Sequence, residues 1–277
     1  MSMVAALVRL NLIRLLHSSM LWVPLGASVA LAFIWSNVLH VDALNTHAPA
    51  NAWDLLLMLQ NNGKVLAFAL VVPFSLWIGD LVAVDRERGY RAQLCLRTAH
   101  RAQWAYPLAL VASVVVGAAL AAVMVALVWL AMGGLMLGGP GPHWSPFART
   151  GSVYWPLGPA VLHGAPPTAA AWSLAWNALA LVAVALVGLA IGQVMRVRFA
   201  SIIATTLVAL VSLWMASPGT PTLQWSPLGA GVWLLHAAQH TTDVASLPAG
   251  WPGYFLAGLI AVSAAGIILQ HQREGSW

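Results

Sequence analysis

Residues 108–132 read LALVASVVVGAALAAVMVALVWLAM, a run of 25 residues without a charged side chain. A helix of about 20 apolar residues crosses the hydrocarbon core of a bilayer, so this run is long enough to span one. The whole chain is similar: 61% of its 277 residues are hydrophobic and only 7% are charged, whereas soluble domains carry roughly 25% charged residues. This composition excludes a soluble enzyme and a disordered chain. The single cysteine, Cys95, excludes a disulfide-stapled domain and a thiolate metal cluster.

Five further stretches have the length and apolarity of a membrane span. They lie at about 20–39, 65–84, 169–194, 199–216 and 254–269, and the second of them contains Pro73. Together with residues 108–132 they predict an all-α polytopic membrane protein of six transmembrane helices, folded as one domain over residues 1–277.

The charged residues predict how this bundle is oriented. Ten of the twelve basic residues fall on one side of the predicted spans: Arg9, Arg14, Arg86, Arg88, Arg91, Arg97, Arg101, Arg196, Arg198 and Arg273. Only Lys64 and Arg149 fall on the other. Because basic residues are enriched in cytoplasmic connections, both termini are predicted to be cytoplasmic. The same distribution explains the net charge of +5 without a nucleic-acid partner.

Residues 1–19 alternate apolar side chains with Arg9, Asn11 and Arg14. At a helical period this pattern predicts a basic amphipathic helix that lies on the inner membrane surface before the first span.

The outer connections, at about 40–64, 137–168 and 217–253, are nearly uncharged and rich in Trp, Pro, Gly and His. We expect them to dip into the outer leaflet or to form short interfacial helices, since Trp favours the headgroup region. Two of them share the sequence Trp-Ser-Pro, at 144–146 and 225–227, and in each a second tryptophan follows. These four tryptophans are Trp144, Trp155, Trp225 and Trp233. They either anchor the connections at the interface or line the exit of a substrate path.

Motifs for chemistry within the chain are scarce. The only lysine, Lys64, is not part of a P-loop, so we expect no ATP hydrolysis by this chain itself. The sequence contains no His-Glu-x-x-His and no Gly-x-Ser-x-Gly, and it predicts no catalytic residue and no bound metal.

Asp80 is either an interfacial partner of nearby arginines or a cation site, and Asn177 and Gln193 are predicted to hydrogen-bond between helices. His236 and His240 are spaced for one helical face, but two imidazoles alone make a weak metal site.

The connection at residues 85–104 is the densest cluster of charge in the protein, with seven of its 19 charged residues. A solvated loop that obeys the positive-inside rule explains its arginines. The positive-inside rule does not explain the acids Asp85 and Glu87 or the leucines Leu94 and Leu96 in the same segment. This mixture of charged and apolar side chains favours docking to a cytosolic protein.

This segment resembles the connection after the second span of type 2 ABC transporter permeases. The matching residues are Asp85, Arg86, Glu87, Gly89, Leu94 and Arg101. The chain departs from the family pattern at Tyr90, where Thr is usual, at Thr98-Ala99, where Pro is usual, and at Tyr106-Pro107, where a lysine opens the third span. The resemblance also covers the outline of the chain: an amphipathic N-terminal helix, six spans and a long apolar excursion at 217–253, which forms re-entrant helices in that family.

The resemblance implies a permease subunit of an ATP-driven exporter in the cytoplasmic membrane of a prokaryote. The connection would hold the coupling helix, with these residues facing a separate ATP-binding subunit: Asp85, Arg86, Glu87, Arg88, Gly89, Arg91, Leu94, Arg97 and Arg101. ATP and Mg²⁺ would bind to that subunit, and a second copy or a sister permease would complete the transporter. The nearly charge-free bundle suits an amphiphilic or hydrophobic substrate. Two alternatives from other classes are a haem- or metal-handling membrane assembly factor and a non-transporting membrane scaffold.

Overall fold

The computed structural model of the chain describes residues 3–18, 22–87, 100–150, 162, 164–195, 199–216, 225–232 and 250–274. Every regular element within these ranges is helical. Eleven α-helices are numbered here in chain order: α1 Met3–His17, α2 Trp22–Asn45, α3 Ala52–Asn61, α4 Gly63–Leu66, α5 Val72–Glu87, α6 His100–Met136, α7 Pro146–Thr150, α8 Pro166–Val194, α9 Ala200–Met215, α10 Pro227–Gly231 and α11 Trp251–Glu274.

Within the described residues, five stretches are long and apolar enough to cross a membrane: Pro24–Asn45, Gly63–Asp85, Trp104–Met136, Pro166–Val194 and Trp251–Gln272. Each overlaps a span predicted from the sequence, so the helical class is confirmed and the described helices are compatible with a polytopic membrane protein. The remaining predicted span corresponds to α9, an apolar helix of 16 residues. Its length is below the roughly 20 residues of a typical span.

The second predicted span contains a π-helical turn at Ala67–Val71, between α4 and α5. Pro73 follows two residues after this turn. A proline in a helix lacks the N–H and crowds the carbonyl four residues earlier. In the π turn the N–H of Val72 bonds to the carbonyl oxygen of Ala67, five residues back. The wider turn lets the helical path continue past the proline.

Helix α3 lies within residues 40–64, which the sequence predicts to be an outer connection that dips into the leaflet or forms short interfacial helices. Nine of its ten residues are buried, and α3 packs against α6 and α8. Its start is fixed by a capping box, in which Asn51 and Asp54 bond to each other's backbone. The segment is therefore an internal helix of the bundle.

Helix α1 confirms a helix within residues 1–19, but it packs differently from a helix lying flat on the membrane. Leu7 is buried beside Ala109 of α6. One turn later Asn11 Nδ2 donates to Ser113 Oγ at 3.1 Å, and Leu15 reaches Gly117 after a further turn. Both helices advance by four residues between contacts, so α1 runs lengthwise along α6 and in the same direction.

Helix α9 is held between α5 and α8 by contacts that only glycine allows. A Cβ on Gly192 would stand 2.5 Å from the Cα of Ser201, and one on Gly79 would stand 2.8 Å from the Cα of Ile202. Gly188 makes the same kind of approach to Thr205. Gly188 and Gly192 form a small-xxx-small motif, which lets helix backbones approach closely in membranes.

Candidate functional site

The strongest sequence signal, the connection at 85–104, lies mainly outside the described residues. Arg88, Gly89, Arg91, Leu94 and Arg97 fall there. Arg86 and Glu87 belong to the last turn of α5 and Arg101 to the first turn of α6, but their side chains are also outside the description. Both ends of the connection are described, and they approach each other at Asp85 and Tyr106.

The carboxylate of Asp85 is engaged within the chain on both of its oxygens. Arg14 Nη1 donates to Oδ1 at 2.7 Å, and the Tyr106 hydroxyl donates to Oδ2 at 2.9 Å. The Asp85 side chain is only 3% exposed, whereas that of Arg14 is 29% exposed. Asp85 thus faces the interior, and its contacts fix where the connection begins.

The fourth member of this cluster is His271 on α11. Its ring stands 5.5 Å from the ring of Tyr106, centroid to centroid. Its Nδ1 lies 2.9 Å from the carbonyl oxygen of Ile267, so the proton on Nδ1 donates to this oxygen. We call Arg14, Asp85, Tyr106 and His271 the Asp85 network. It joins α1, α5, α6 and α11 at one end of the bundle, which we call the Asp85 end.

A second bond strengthens the link between α1 and α5. The indole N–H of Trp77 donates to the carbonyl oxygen of Leu15 at 3.1 Å. Leu15 stands in the last turn of α1, where carbonyl groups have no partner within the helix. A displacement of α5 therefore acts on α1 at two points, Arg14 and Leu15.

The sequence predicts that Asp80 is either an interfacial partner of nearby arginines or a cation site. Among the described side chains the ion pair with an arginine belongs to Asp85. The pairing of Asp80 with an arginine stays a prediction, because the nearest arginines in the sequence have undescribed side chains. The interhelical role of Asn177 is confirmed, since its Nδ2 donates to the carbonyl oxygen of Gln60 on α3 at 3.0 Å.

The two Trp-Ser-Pro sequences have the same local structure. Each begins a five-residue helix, α7 or α10, with proline at the first helical position. Ser145 Oγ accepts from the N–H of Ala148 at 3.0 Å, and Ser226 Oγ accepts from that of Gly229 at 3.0 Å. Serine before a first-turn proline is a typical helix start. The shared sequence is thus a helix-capping motif.

The tryptophans of these motifs have different surroundings. Trp144 is 8% exposed, and its indole N–H donates to the carbonyl oxygen of Gly164 at 2.6 Å. Trp225 is 49% exposed and packs edge-on against Trp251 with ring centroids 5.3 Å apart. Of the two, only Trp225 presents a surface to a passing molecule. Trp155 and Trp233 lie outside the described residues.

Helix α10 is the described helix that lies wholly within the apolar excursion at 217–253. Its Leu228 N–H donates to Ser212 Oγ of α9 at 2.9 Å, and Ser226 Oγ donates to the carbonyl oxygen of Ser212 at 2.6 Å. Gly231 packs directly on Ala180 of α8. This short helix is therefore buried in the bundle, between α8, α9 and α11.

Within the described part of the chain, no group of three or more His, Cys, Asp or Glu side chains is close enough together to hold a metal ion. Comparisons of the chain with protein-family models, with curated proteins and with solved structures found no match. The described structure is an all-helical chain whose five long apolar helices are compatible with a polytopic membrane protein, with a charged junction, the Asp85 network, at one end.

Proposed function

We propose that the chain is the transmembrane permease subunit of an ATP-driven exporter in the cytoplasmic membrane of a prokaryote, with both termini cytoplasmic. Six helical paths cross the bilayer in this proposal, with the short helix α9 as the fifth. A separate ATP-binding subunit docks on the connection at 85–104, and a second copy or a sister permease completes the path. The substrate is an amphiphilic or hydrophobic molecule.

The observation that carries the proposal is the clamp between the two ends of the connection. Asp85 lies in the last turn of α5 and Tyr106 in the second turn of α6, on either side of the segment. The two side chains share a hydrogen bond of 2.9 Å. A push on the connection therefore moves α5 and α6 together. Arg14 passes the displacement to α1, and the contact of Tyr106 with His271 passes it to α11.

ATP acts in this scheme by a shift of populations. Closure of two ATP-binding subunits favours one arrangement of the docked connections, and the bundle state compatible with that arrangement becomes the dominant one. The basic side chains of the connection set the orientation of docking more than its strength. ATP and Mg²⁺ remain on the partner subunit throughout.

A purified complex in proteoliposomes tests the proposal. We expect Glu87→Ala/Arg88→Ala to insert normally and to retain ATPase activity while transport is lost. Arg9→Ala, an exposed arginine on α1, is the matched control and keeps both activities. Undiminished transport by a well-inserted double variant would contradict docking at this connection. Isolation of the protein without an ATP-binding subunit, together with a haem absorbance band, would favour the assembly factor instead.

The bound substrate is identified by mass spectrometry of the complex extracted in native lipid discs. A lipid-like or apolar molecule retained by the resting complex, and released on ATP addition, is the expected result. A small inorganic ion as the only released species would contradict the substrate class.

A further inference from the structure

A groove lies at the opposite end of the bundle, where α2 ends beside the end of α6. It has a volume of about 320 Å³ and is open to the surface. Two imidazoles line it, those of His40 and His47, together with apolar side chains that include Leu44, Pro49 and Leu137. Its volume is within the range of small-molecule sites.

His47 has a backbone conformation that favours glycine. Its φ is 54°, and its N–H bonds to the carbonyl oxygen of Leu44 at 3.3 Å while that of Ala48 bonds to Ala43 at 3.1 Å. These two bonds form the Schellman motif that ends many helices, in which glycine usually occupies the left-handed position. The end of α2 would be less strained with glycine, so the helix end itself does not require this imidazole.

The groove offers polar donors without opposing negative charge. Neither imidazole is hydrogen-bonded to a residue that the structure describes, and both side chains are exposed. No carboxylate lines the groove. The nearest acid in the sequence, Asp42, lines the adjacent surface of α2 with Asn37, Val41 and Asn45.

We propose that this groove binds the acidic headgroup of an amphiphile, a carboxylate or a phosphate, through His40 and His47. The alkyl chain lies along Leu44, Pro49 and Leu137. An imidazole N–H donates to an anionic oxygen in either protonation state of the ring, and the bond is stronger when the ring is charged. The site does not depend on the coupling proposed above, because it involves neither the Asp85 network nor an ATP-binding subunit.

The test uses the full chain alone in nanodiscs of phosphatidylcholine. A hexadecanoic acid with a fluorophore at its tail is the probe, and the corresponding alcohol is its neutral control. We expect the acid to bind about tenfold more tightly than the alcohol, as expected for an added charge-assisted hydrogen bond. A hexadecyl phosphate should displace the acid, while inorganic phosphate at the same concentration should not. Displacement by inorganic phosphate would contradict an amphiphilic ligand and would show that the groove binds a free anion.

Two variants distinguish a loss of ligand binding from a loss of protein stability. His47→Gly should raise the thermal midpoint, because it relieves the positive φ, and yet lower the affinity for the acid about tenfold. His40→Ala should lower this affinity without the gain in stability. His143→Ala, an exposed histidine that does not line the groove, should bind as the wild type does. Equal binding of acid and alcohol, or an unchanged preference in the His40→Ala/His47→Gly double variant, would overturn the proposal.

Discussion

Each end of the bundle contains a buried aspartate, and the two are held in different ways. Asp85 is 3% exposed and bonds to the cationic Arg14 and to Tyr106. Asp54, near the other end of α6, is 5% exposed and is bonded by neutral groups, the N–H of Asn51 and the side chain of Ser145. Burial therefore raises the pKa of Asp54 above its usual value, and these two hydrogen bonds oppose the rise.

The difference indicates different roles for the two ends. At the Asp54 end, consecutive residues of α3 hold the segment after α6: the Ala52 N–H bonds to Gly138 and the Trp53 indole bonds to Gly141. Such a junction depends on several separate hydrogen bonds from neutral groups. At the Asp85 end a single charged cluster connects four helices, so a change of charge there acts on all of them at once. A partner subunit can more readily act through the second kind of junction.

The largest effect is expected from Arg14→Ala. The substitution leaves the buried carboxylate of Asp85 without its cation, which costs about 3 kcal/mol of unfolding free energy. Chemical denaturation in detergent micelles measures it. The exposed Arg9 on the same helix is the control, and Arg9→Ala should change the unfolding free energy by less than about 0.5 kcal/mol.

The double variant Arg14→Ala/Asp85→Asn tests the cause of that loss. With the buried charge removed as well, it should be more stable than Arg14→Ala alone, as a double-mutant cycle would reveal. Additive losses would mean that the two side chains do not interact.

Tyr106→Phe should have the next largest effect and lower the unfolding free energy by about 1.5 kcal/mol. It removes one charge-assisted hydrogen bond and keeps the ring beside His271. Its effect should become smaller in an Asp85→Asn background, where the amide oxygen can still accept from the hydroxyl but the bond is no longer charge-assisted. An equal loss in both backgrounds would show that the hydroxyl acts through another group.

Ser145→Ala at the other end should cost about 1 kcal/mol. The hydroxyl accepts from Ala148 as the cap of α7 and also bonds to Asp54. Its removal should raise the pKa of Asp54 further, because one of the two bonds that lower it is lost. A fall in that pKa, followed by carbon-13 NMR of labelled aspartate, would contradict this arrangement.

Asp54→Asn should change the unfolding free energy least, and at neutral pH it should increase the stability, whereas the other substitutions lower it. Because the folded protein binds the Asp54 proton more tightly than the unfolded chain does, the wild type loses stability as pH rises through the raised pKa. The asparagine variant has no such loss and can still accept from the Asn51 N–H. Its unfolding free energy relative to wild type should therefore increase as the pH rises above the ordinary carboxyl pKa of about 4, and should level off once Asp54 is ionised in the folded protein as well. A relative stability that falls with pH would contradict the neutral surroundings that the described residues give Asp54.

The sequence predicted the helical class well because long apolar runs depend on local composition. The run at 108–132 became the centre of α6, and Pro73 lies within the second span as expected. Helix α3 was missed because its ten residues are too few for a span, and its polar side chains find partners far along the chain, as Asn61 does at Ser173. The pair Arg14 and Asp85, 71 residues apart, has no local pattern either.

Two signals were present and could have been used. Gly188 and Gly192 have the spacing of close helix packing in membranes. Serine followed by proline in both Trp-Ser-Pro sequences is the pattern of a helix start. By contrast, nothing in the amphipathic pattern of residues 1–19 distinguishes a helix on a membrane from one packed along α6, since both bury a single apolar face.

The central claim is that a partner subunit acts through the Asp85 end, and a paired comparison of the two aspartates tests it most directly. Transport and ATPase activity are measured side by side in proteoliposomes for Asp85→Asn and Asp54→Asn, at equal amounts of inserted protein. The account predicts that Asp85→Asn continues to hydrolyse ATP but loses most of its transport, while Asp54→Asn retains both. Wild-type transport by Asp85→Asn would contradict the account.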